Sequence, residues 1–212
     1  MYFEENNIVT ISNIGVTIVD YNPSCGDDVV IPKTINGYEV VNFDFCGSLS
    51  AEQMNNVTSK EYSNQMFNQS INKVMPIELV CRESFSQIKS IVIPNTVKVI
   101  GENTFYNSEL TEVTFEENSN LTIIEKMAFF QCNINSITIP NSVVLIGSEA
   151  FRFARIKELR FEEKSNLTTI AYSAFSHNLL TSVKIPQSVN ELSCYAFDDD
   201  VLIDKSDDLV CY

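Results

Sequence analysis

The side chains best suited to chemistry in this 212-residue chain are its histidine, its cysteines and its clustered aspartates. His177 is the single histidine, so any mechanism that pairs a serine or cysteine nucleophile with an imidazole base would have to use it. It follows an Ala-Phe pair, where neighbouring segments carry Tyr106, Phe130 and Arg152, and this predicts a surface turn. No nucleotide-binding, zinc-protease or serine-hydrolase motif occurs in the sequence. We therefore predict no catalytic residue and no enzyme.

The six cysteines lie 17 to 62 residues apart and form neither a CxxC pair nor a Cys/His pattern of the zinc-site kind. Reduced, buried thiols are the expectation, and they fit a reducing compartment, although a bridge near an end through Cys25 or Cys211 stays open. Residues 1–5 do not read as a secretory signal, and no apolar run reaches the ~20 residues of a membrane span. We predict a cytoplasmic chain without membrane insertion, or a surface or secreted one if a targeting segment lies outside this sequence.

Two aspartate runs near the end, at 198–200 and 207–208, offer oxygen ligands of the kind that calcium takes. They lack the glycine-spaced loop of a dedicated calcium site, so a solvated acidic cap is expected, with no metal and no cofactor. A metal-assisted hydrolase that uses these aspartates remains a distant alternative.

The net charge of −14 is concentrated at the two ends of the chain. Residues 1–28 hold five acids and no Lys or Arg, and residues 195–212 hold six acids against Lys205. Phosphate binding depends on Lys and Arg that displace counterions, so nucleic acid and anionic lipid are excluded as expected partners. Charged ends also oppose end-to-end stacking, and a monomer is expected.

The sequence contains internal repeats, and these repeats predict the secondary-structure elements on which any functional site would lie. The segments IVIPNTVKVIGENTF (91–105), ITIPNSVVLIGSEAF (137–151) and VKIPQSVNELSCYAF (183–197) recur at an interval of 46 residues. Between them lie VTFEENSNLTIIEKMAF (113–129) and LRFEEKSNLTTIAYSAF (159–175), in which Phe-Glu-Glu replaces Ile-Pro. The unit therefore alternates between 24 and 22 residues, within the ~20–29 residues of leucine-rich repeats and too short for helix-pair repeats.

Each unit reads as a short strand, a turn, a second apolar pair and an Ala-Phe corner. One coil of this length cannot bury its apolar side alone, so stacking of coils is predicted, with the corner phenylalanines forming an internal ladder. The domain prediction is a single domain: a β-hairpin cap (1–28), repeats (29–197) and an acidic cap (198–212). Residues 29–45 and 71–85 read as irregular copies, and 46–70 as a degenerate repeat or an inserted helix.

The repeats "IPNSVVLIGSEAF" and "FEEKSNLTTIAYSAF", with the opening "DVVIPKTINGYEV", resemble the BspA-like leucine-rich-repeat family over roughly residues 8–205. The resemblance implies a right-handed, β-rich solenoid with a parallel sheet on one face. It also implies protein binding or adhesion, generally without cofactor or catalytic centre. Many relatives are secreted or surface-attached.

The period-2 pleat predicts which strand residues point outward to form a binding face. A protein partner of unknown identity is expected there, and the alternative is a structural or self-associating solenoid. The predicted partner-binding residues are Ser90, Val92, Glu112, Thr114, Glu116, Ser136, Thr138, Glu158, Arg160, Glu162, Ser182 and Lys184.

Overall fold

A computed structural model describes residues 9–12, 15–18, 27–35, 37–43, 87–205 and 208–212. These residues form strands and turns, and none of them is helical. In chain order the strands are β1 (Val9–Ser12), β2 (Gly15–Ile18), β3 (Asp28–Val30), β4 (Thr34–Ile35), β5 (Tyr38–Phe43), β6 (Ser90–Ile93), β7 (Val99–Ile100), β8 (Glu112–Phe115), β9 (Ile123–Ile124), β10 (Ser136–Ile139), β11 (Leu145–Ile146), β12 (Glu158–Phe161), β13 (Thr169–Ile170), β14 (Ser182–Lys184), β15 (Glu191–Leu192) and β16 (Leu202–Asp204).

The repeats stack as a parallel β-solenoid, which confirms the predicted fold class. Each unit from β6 onward contributes one longer strand and one two-residue strand. The short strands β7, β9, β11, β13 and β15 pair in parallel, each with the next, so Ile100, Ile124 and Ile146 lie side by side in register. Every coil thus gives the next one a hydrogen-bonded neighbour, which a single coil lacks.

The longer strands form three separate parallel ladders, β3-β6-β8, β10-β12 and β14-β16. Ile93 pairs with Phe115, and these residues are 22 positions apart in the sequence. Phe115 does not pair with Ile139, which is 24 positions further along. The breaks therefore fall at the longer interval that follows each Phe-Glu-Glu strand. The face of longer strands is therefore divided into three ladders, while the face of short strands is one continuous sheet.

The core lies between these two faces and at the corner. Strand residues alternate between buried and exposed, as in the pattern of β10, where Ile137 and Ile139 point inward. The corner phenylalanines are buried and stacked, with ring centroids 4.9 Å apart for Phe129 and Phe151 and 5.1 Å apart for Phe151 and Phe175. The predicted aromatic ladder is confirmed, and it runs from Phe105 to Phe197.

The start of the solenoid is an antiparallel hairpin of β1 and β2, which confirms the predicted cap. β2 continues in parallel with β5, and β5 with β7, so the hairpin extends the sheet of short strands. β4 and β5 pair as a second hairpin whose turn contains Gly37 at φ 83°, a backbone conformation suited to glycine. The expectations for residues 46–70 and 71–85 lie outside the described residues.

The far end is closed by residues 208–212. Cys211 forms a parallel bridge beside Leu192, and the Tyr212 carbonyl accepts a hydrogen bond from the Cys194 backbone N–H at 2.9 Å. We call this pairing of residues 211–212 beside β15 the terminal rung. It brings the Cα atoms of Cys194 and Cys211 to 4.8 Å, and the two residues form a disulfide. The expectation of reduced, buried thiols is wrong for this exposed pair, for which the alternative of a bridge through Cys211 near the end holds. It is right for Cys132, which is free and buried. The remaining cysteines lie outside the described residues.

Among the described residues, no helix has the length and apolar character needed to span a bilayer.

Candidate partner-binding face

The outward residues of the longer strands form two parallel rows, which we call the sheet face. The first row contains Ser90, Glu112, Ser136, Glu158 and Ser182, and the second contains Val92, Thr114, Thr138, Arg160 and Lys184. All are exposed except Ser90 and Val92, which are half-buried. Ten of the predicted residues are therefore brought together as neighbours on one surface.

Backbone pairing aligns each row within a ladder. Ser136 lies opposite Glu158 and Thr138 opposite Arg160 in the β10–β12 pair. Residues that face each other across parallel strands sit at the strand spacing, close to 4.8 Å. A partner would therefore meet side chains at regular intervals within each ladder, and the ladders are interrupted between β8 and β10 and between β12 and β14.

Two predicted residues, Glu116 and Glu162, lie just beyond β8 and β12 and already have structural partners. The carboxylate of Glu116 accepts the Asn95 backbone N–H at 3.0 Å, and that of Glu162 accepts the Asn141 backbone N–H at 2.9 Å. The Asn95 hydrogen bond, assisted by Lys33 at 3.1 Å, lowers the pKa of Glu116 below its usual value of 4.5. Both carboxylates hold the turn of the preceding unit, so we place neither in the rows.

Four residues extend the rows and were missed by sequence reasoning. Asp28 and Val30 pair with Ser90 and Val92 at one end. Leu202 and Asp204 pair with Ser182 and Lys184 at the other end. Val30 is 64% exposed and Leu202 is 75% exposed, so each end of the face carries an aliphatic side chain. The strands DVV and LID were visible in the sequence, but their register against the repeats was not.

Charge is distributed unevenly between the two rows. The first row alternates serines with Glu112 and Glu158, whereas the second row ends in the cations Arg160 and Lys184. Glu158 and Arg160 form an ion pair across the rows at 2.9 Å, and both are largely exposed. Such a pair exchanges readily with a partner's charges because water screens it. The face can therefore offer hydroxyls, carboxylates and cations for hydrogen bonding.

Cys132 and Asp198, whose side chains could take part in chemistry, lie outside the sheet face and contact other parts of the fold. Burial raises the pKa of the Cys132 thiol to about 12, so it stays protonated and unreactive near neutral pH. The carboxylate of Asp198 accepts the backbone N–H groups of His177 and Asn178 at 2.8 and 3.2 Å. Among the described residues no three His, Cys, Asp or Glu side chains cluster as metal ligands.

The position of His177 differs from the one inferred by sequence matching. Its structural counterparts in the earlier coils are Asn107, Gln131 and Phe153. The backbone N–H of each of these three residues donates to a carbonyl of the following coil, and that carbonyl belongs to the residue just before the next counterpart. Tyr106 stacks on Phe130 instead. The expected surface turn is confirmed, since His177 is exposed and lies in a turn.

The comparisons with known proteins agree with this architecture. A family model described as the BspA type leucine rich repeat region matches residues 77–203 in six copies. No curated protein sequence matches the chain significantly.

Two solved structures share the fold at low sequence identity. The pneumococcal vaccine antigen PcpA is 21% identical with a TM-score of 0.63, over 98% of this chain and 50% of that one. A leucine rich cell surface protein from Faecalibacterium prausnitzii A2-165 is 19% identical with a TM-score of 0.56, over 97% of this chain and 55% of that one. The chain thus spans about half the length of these relatives.

Proposed function

The chain belongs to the BspA-type leucine-rich repeat family, and from this premise we propose that it is a non-catalytic binding module whose sheet face engages a protein partner. The observation that carries the proposal is the pair of exposed rows held in register by backbone pairing. A protein partner can use the hydroxyls, acids and cations that these rows present side by side.

Protein is the partner class that this surface suits best. A net charge of −14 opposes polyanions such as nucleic acid, and the rows contain only two cations, Arg160 and Lys184. Hydroxyl and carboxylate groups at strand spacing match the polar rim of protein interfaces, and Val30 and Leu202 supply aliphatic contacts at the two ends.

The compartment of this module bears on where a partner is sought. The cytoplasmic prediction remains untested, and the Cys194–Cys211 disulfide favours an oxidising environment instead. The relative from Faecalibacterium prausnitzii is described as a cell surface protein. We propose that the module works outside the reducing cytoplasm, on a surface or in a secreted chain.

Site-specific photo-crosslinking tests whether the sheet face is the site of contact. A photoreactive phenylalanine analogue at Thr138, an exposed position in the second row, is compared with the same analogue at exposed Lys98, beside the short strands. We expect a protein adduct at Thr138 and none at Lys98. Equal labelling at both positions, or labelling at Lys98 alone, would overturn the assignment of the face.

Self-association is the second candidate, and exposed apolar side chains favour it. Leu202 and Ile203 on β16 and Val210 and Tyr212 beyond it are all exposed. An adduct at Thr138 whose mass is twice that of the chain would establish this reading. Light scattering at pH 7 in the absence of a partner gives a second measure, because the binding-module proposal expects a monomer.

The hydrolase alternative rests on Asp199 and Asp200, since Asp198 is occupied by backbone hydrogen bonds. A thermal shift with calcium, magnesium or manganese that Asp199→Asn abolishes would support it. Absence of any shift would remove it.

A further inference from the structure

A groove of about 520 Å³ lies away from the sheet face, where the chain leaves the corner phenylalanines and runs toward the longer strands. Successive coils contribute the amides of Asn107, Gln131 and Asn133, the guanidinium of Arg155, and the rings of Phe153 and His177. No acid lines it. Its volume is in the range of small-molecule sites.

The amide side chains of the groove make no hydrogen bond within the part of the chain that the structure describes. Some asparagines outside it donate to backbone carbonyls, as Asn120 does to Asn95 at 2.8 Å and Asn178 does to Phe151 at 2.8 Å. Within the described part of the chain, no such bond engages the side chains of Asn107, Gln131 and Asn133.

Arg155 shows the same contrast. Arg152 pairs with Glu149 at 2.8 Å and Arg160 with Glu158 at 2.9 Å. Of the arginines that the structure describes, Arg155 is the one without a carboxylate partner. Its donors remain free for a ligand.

The backbone of the groove residues includes the left-handed turns that recur in every unit, as at Met127, Glu149 and Ser173. Phe153, Arg155 and His177 have φ values of 60°, 62° and 57°, in the left-handed region that bulky residues rarely adopt. Asn107, at φ 55°, shows the residue type that tolerates this turn.

The surroundings also fix the two rings. His177 stacks on Phe153 with centroids 4.4 Å apart, and Arg152 lies 5.0 Å from the centre of the Phe153 ring. The Asp198 carboxylate holds the His177 backbone N–H at 2.8 Å. Phe153 nevertheless keeps 38% of its surface exposed. The groove therefore has stacked ring surface beside its free amides.

We propose that this groove binds a neutral saccharide of two or three sugar rings. Each amide presents a donor beside an acceptor, which matches the hydroxyl pairs of a sugar, and Arg155 adds further donors. The exposed parts of Phe153 and Leu179 can contact the C–H surface of a sugar ring. An anion is a poorer fit, since the amides offer acceptors as well as donors and the chain carries a net charge of −14.

The single histidine makes a direct test possible, because the ring resonances of His177 are the only ones of their kind in the tag-free chain. Maltotriose, cellotriose, mannotriose, lactose and triacetylchitotriose are titrated separately to about 20 mM, a range that captures dissociation constants of ~1 mM. N-acetylneuraminic acid is the anionic probe. We expect saturable shifts of the His177 resonances with at least one neutral saccharide.

Asparagine substitutions supply matched variants, since asparagine tolerates the left-handed turn. Phe153→Asn and Arg155→Asn should each weaken binding on the order of ten-fold or more, by removing a contact from a small site. Lys164→Asn is the control: Lys164 has φ 57°, and Asn118 already occupies the matching position of the earlier unit, 46 residues before. It should leave the affinity unchanged.

Three results would overturn the proposal. They are the absence of a shift with every neutral saccharide, shifts with N-acetylneuraminic acid alone, and binding that neither Phe153→Asn nor Arg155→Asn weakens. Circular dichroism checks that each variant is folded. If Phe153→Asn does not fold, Arg155→Asn alone provides the test.

Discussion

At the scale of single residues, the repeat pattern predicts which side chains point outward but not which of them are already in use. Glu112 and Glu116 stand four residues apart in one segment, and the pleat assigns both to the same face. Only the three-dimensional structure shows that Glu116 reaches back to the turn at Asn95. Sequence matching aligns His177 with Tyr106 and Phe130, one residue out of register. The reason is that some units carry a ring directly after the corner phenylalanine and others carry it one residue later.

Glu116 should make the stability of the solenoid depend on acid pH. Its pKa is lowered in the folded state, so its contribution is fully present above the usual value of 4.5 and is lost as pH falls through the folded-state value. Glu116→Gln should therefore reduce stability at pH 7 more than at pH 3. Urea unfolding at both pH values measures the two differences, with exposed Glu117→Gln as the control. An equal loss at both pH values would contradict the role assigned to the carboxylate.

At the scale of elements, the order of strands and the corner ladder follow from the sequence because apolar residues recur at a fixed interval. The division of the longer strands into three ladders does not follow, since it depends on hydrogen-bond register at each 24-residue interval. The sheet face is divided in the same way, and its ten outward residues could be predicted only because the pleat is the same in every ladder.

Phe151→Ala should test the ladder at its centre. The ring is fully buried between Phe129 and Phe175, and its removal opens a cavity between coils. We expect a loss of about 3–5 kcal/mol in the free energy of unfolding. Tyr172→Ala is the control, because Tyr172 is an exposed aromatic and should cost far less. Similar losses for the two variants in chemical denaturation would contradict the ladder's role.

Gly147→Ala probes how closely neighbouring coils approach. An added Cβ would lie 2.7 Å from the Lys126 backbone nitrogen, and backbone cannot move aside cheaply. We expect a loss of about 1–3 kcal/mol, typical of overpacking. Ser148→Ala, at the half-buried next residue, should be nearly neutral in the same thermal unfolding measurement. A neutral Gly147→Ala would mean that the coils can separate without strain.

At the scale of the whole molecule, stability is a sum over interfaces between coils, so the ends matter as much as the centre. The sequence left a bridge through Cys211 open but could not identify Cys194 as its partner, because a spacing of 17 residues carries no recognisable pattern. Pairing of the chain beside Leu192 is what brings the two sulfurs together. The hairpin at the other end was predictable from its alternating residues.

The double variant Cys194→Ser, Cys211→Ser should loosen this terminal rung. Closing a loop of 17 residues is worth about 3 kcal/mol by chain entropy. We expect faster hydrogen exchange in residues 208–212 and lower thermal stability than in the oxidised wild type. Reductant should destabilise the wild type but not the variant. Equal protection of residues 208–212 in the two proteins would show that the disulfide is not needed there.

The most direct test of the sheet-face proposal is the affinity of the partner captured at Thr138 for two double variants that change the net charge equally. Glu112→Lys with Glu158→Lys alters the first row, whereas Glu117→Lys with Glu163→Lys alters exposed acids of the same units outside the rows. Calorimetry should show about ten-fold or greater weakening for the first variant, corresponding to ~1.4 kcal/mol or more. The second variant should bind like the wild type. Equal affinity of the two variants would contradict the central claim that this face engages the partner.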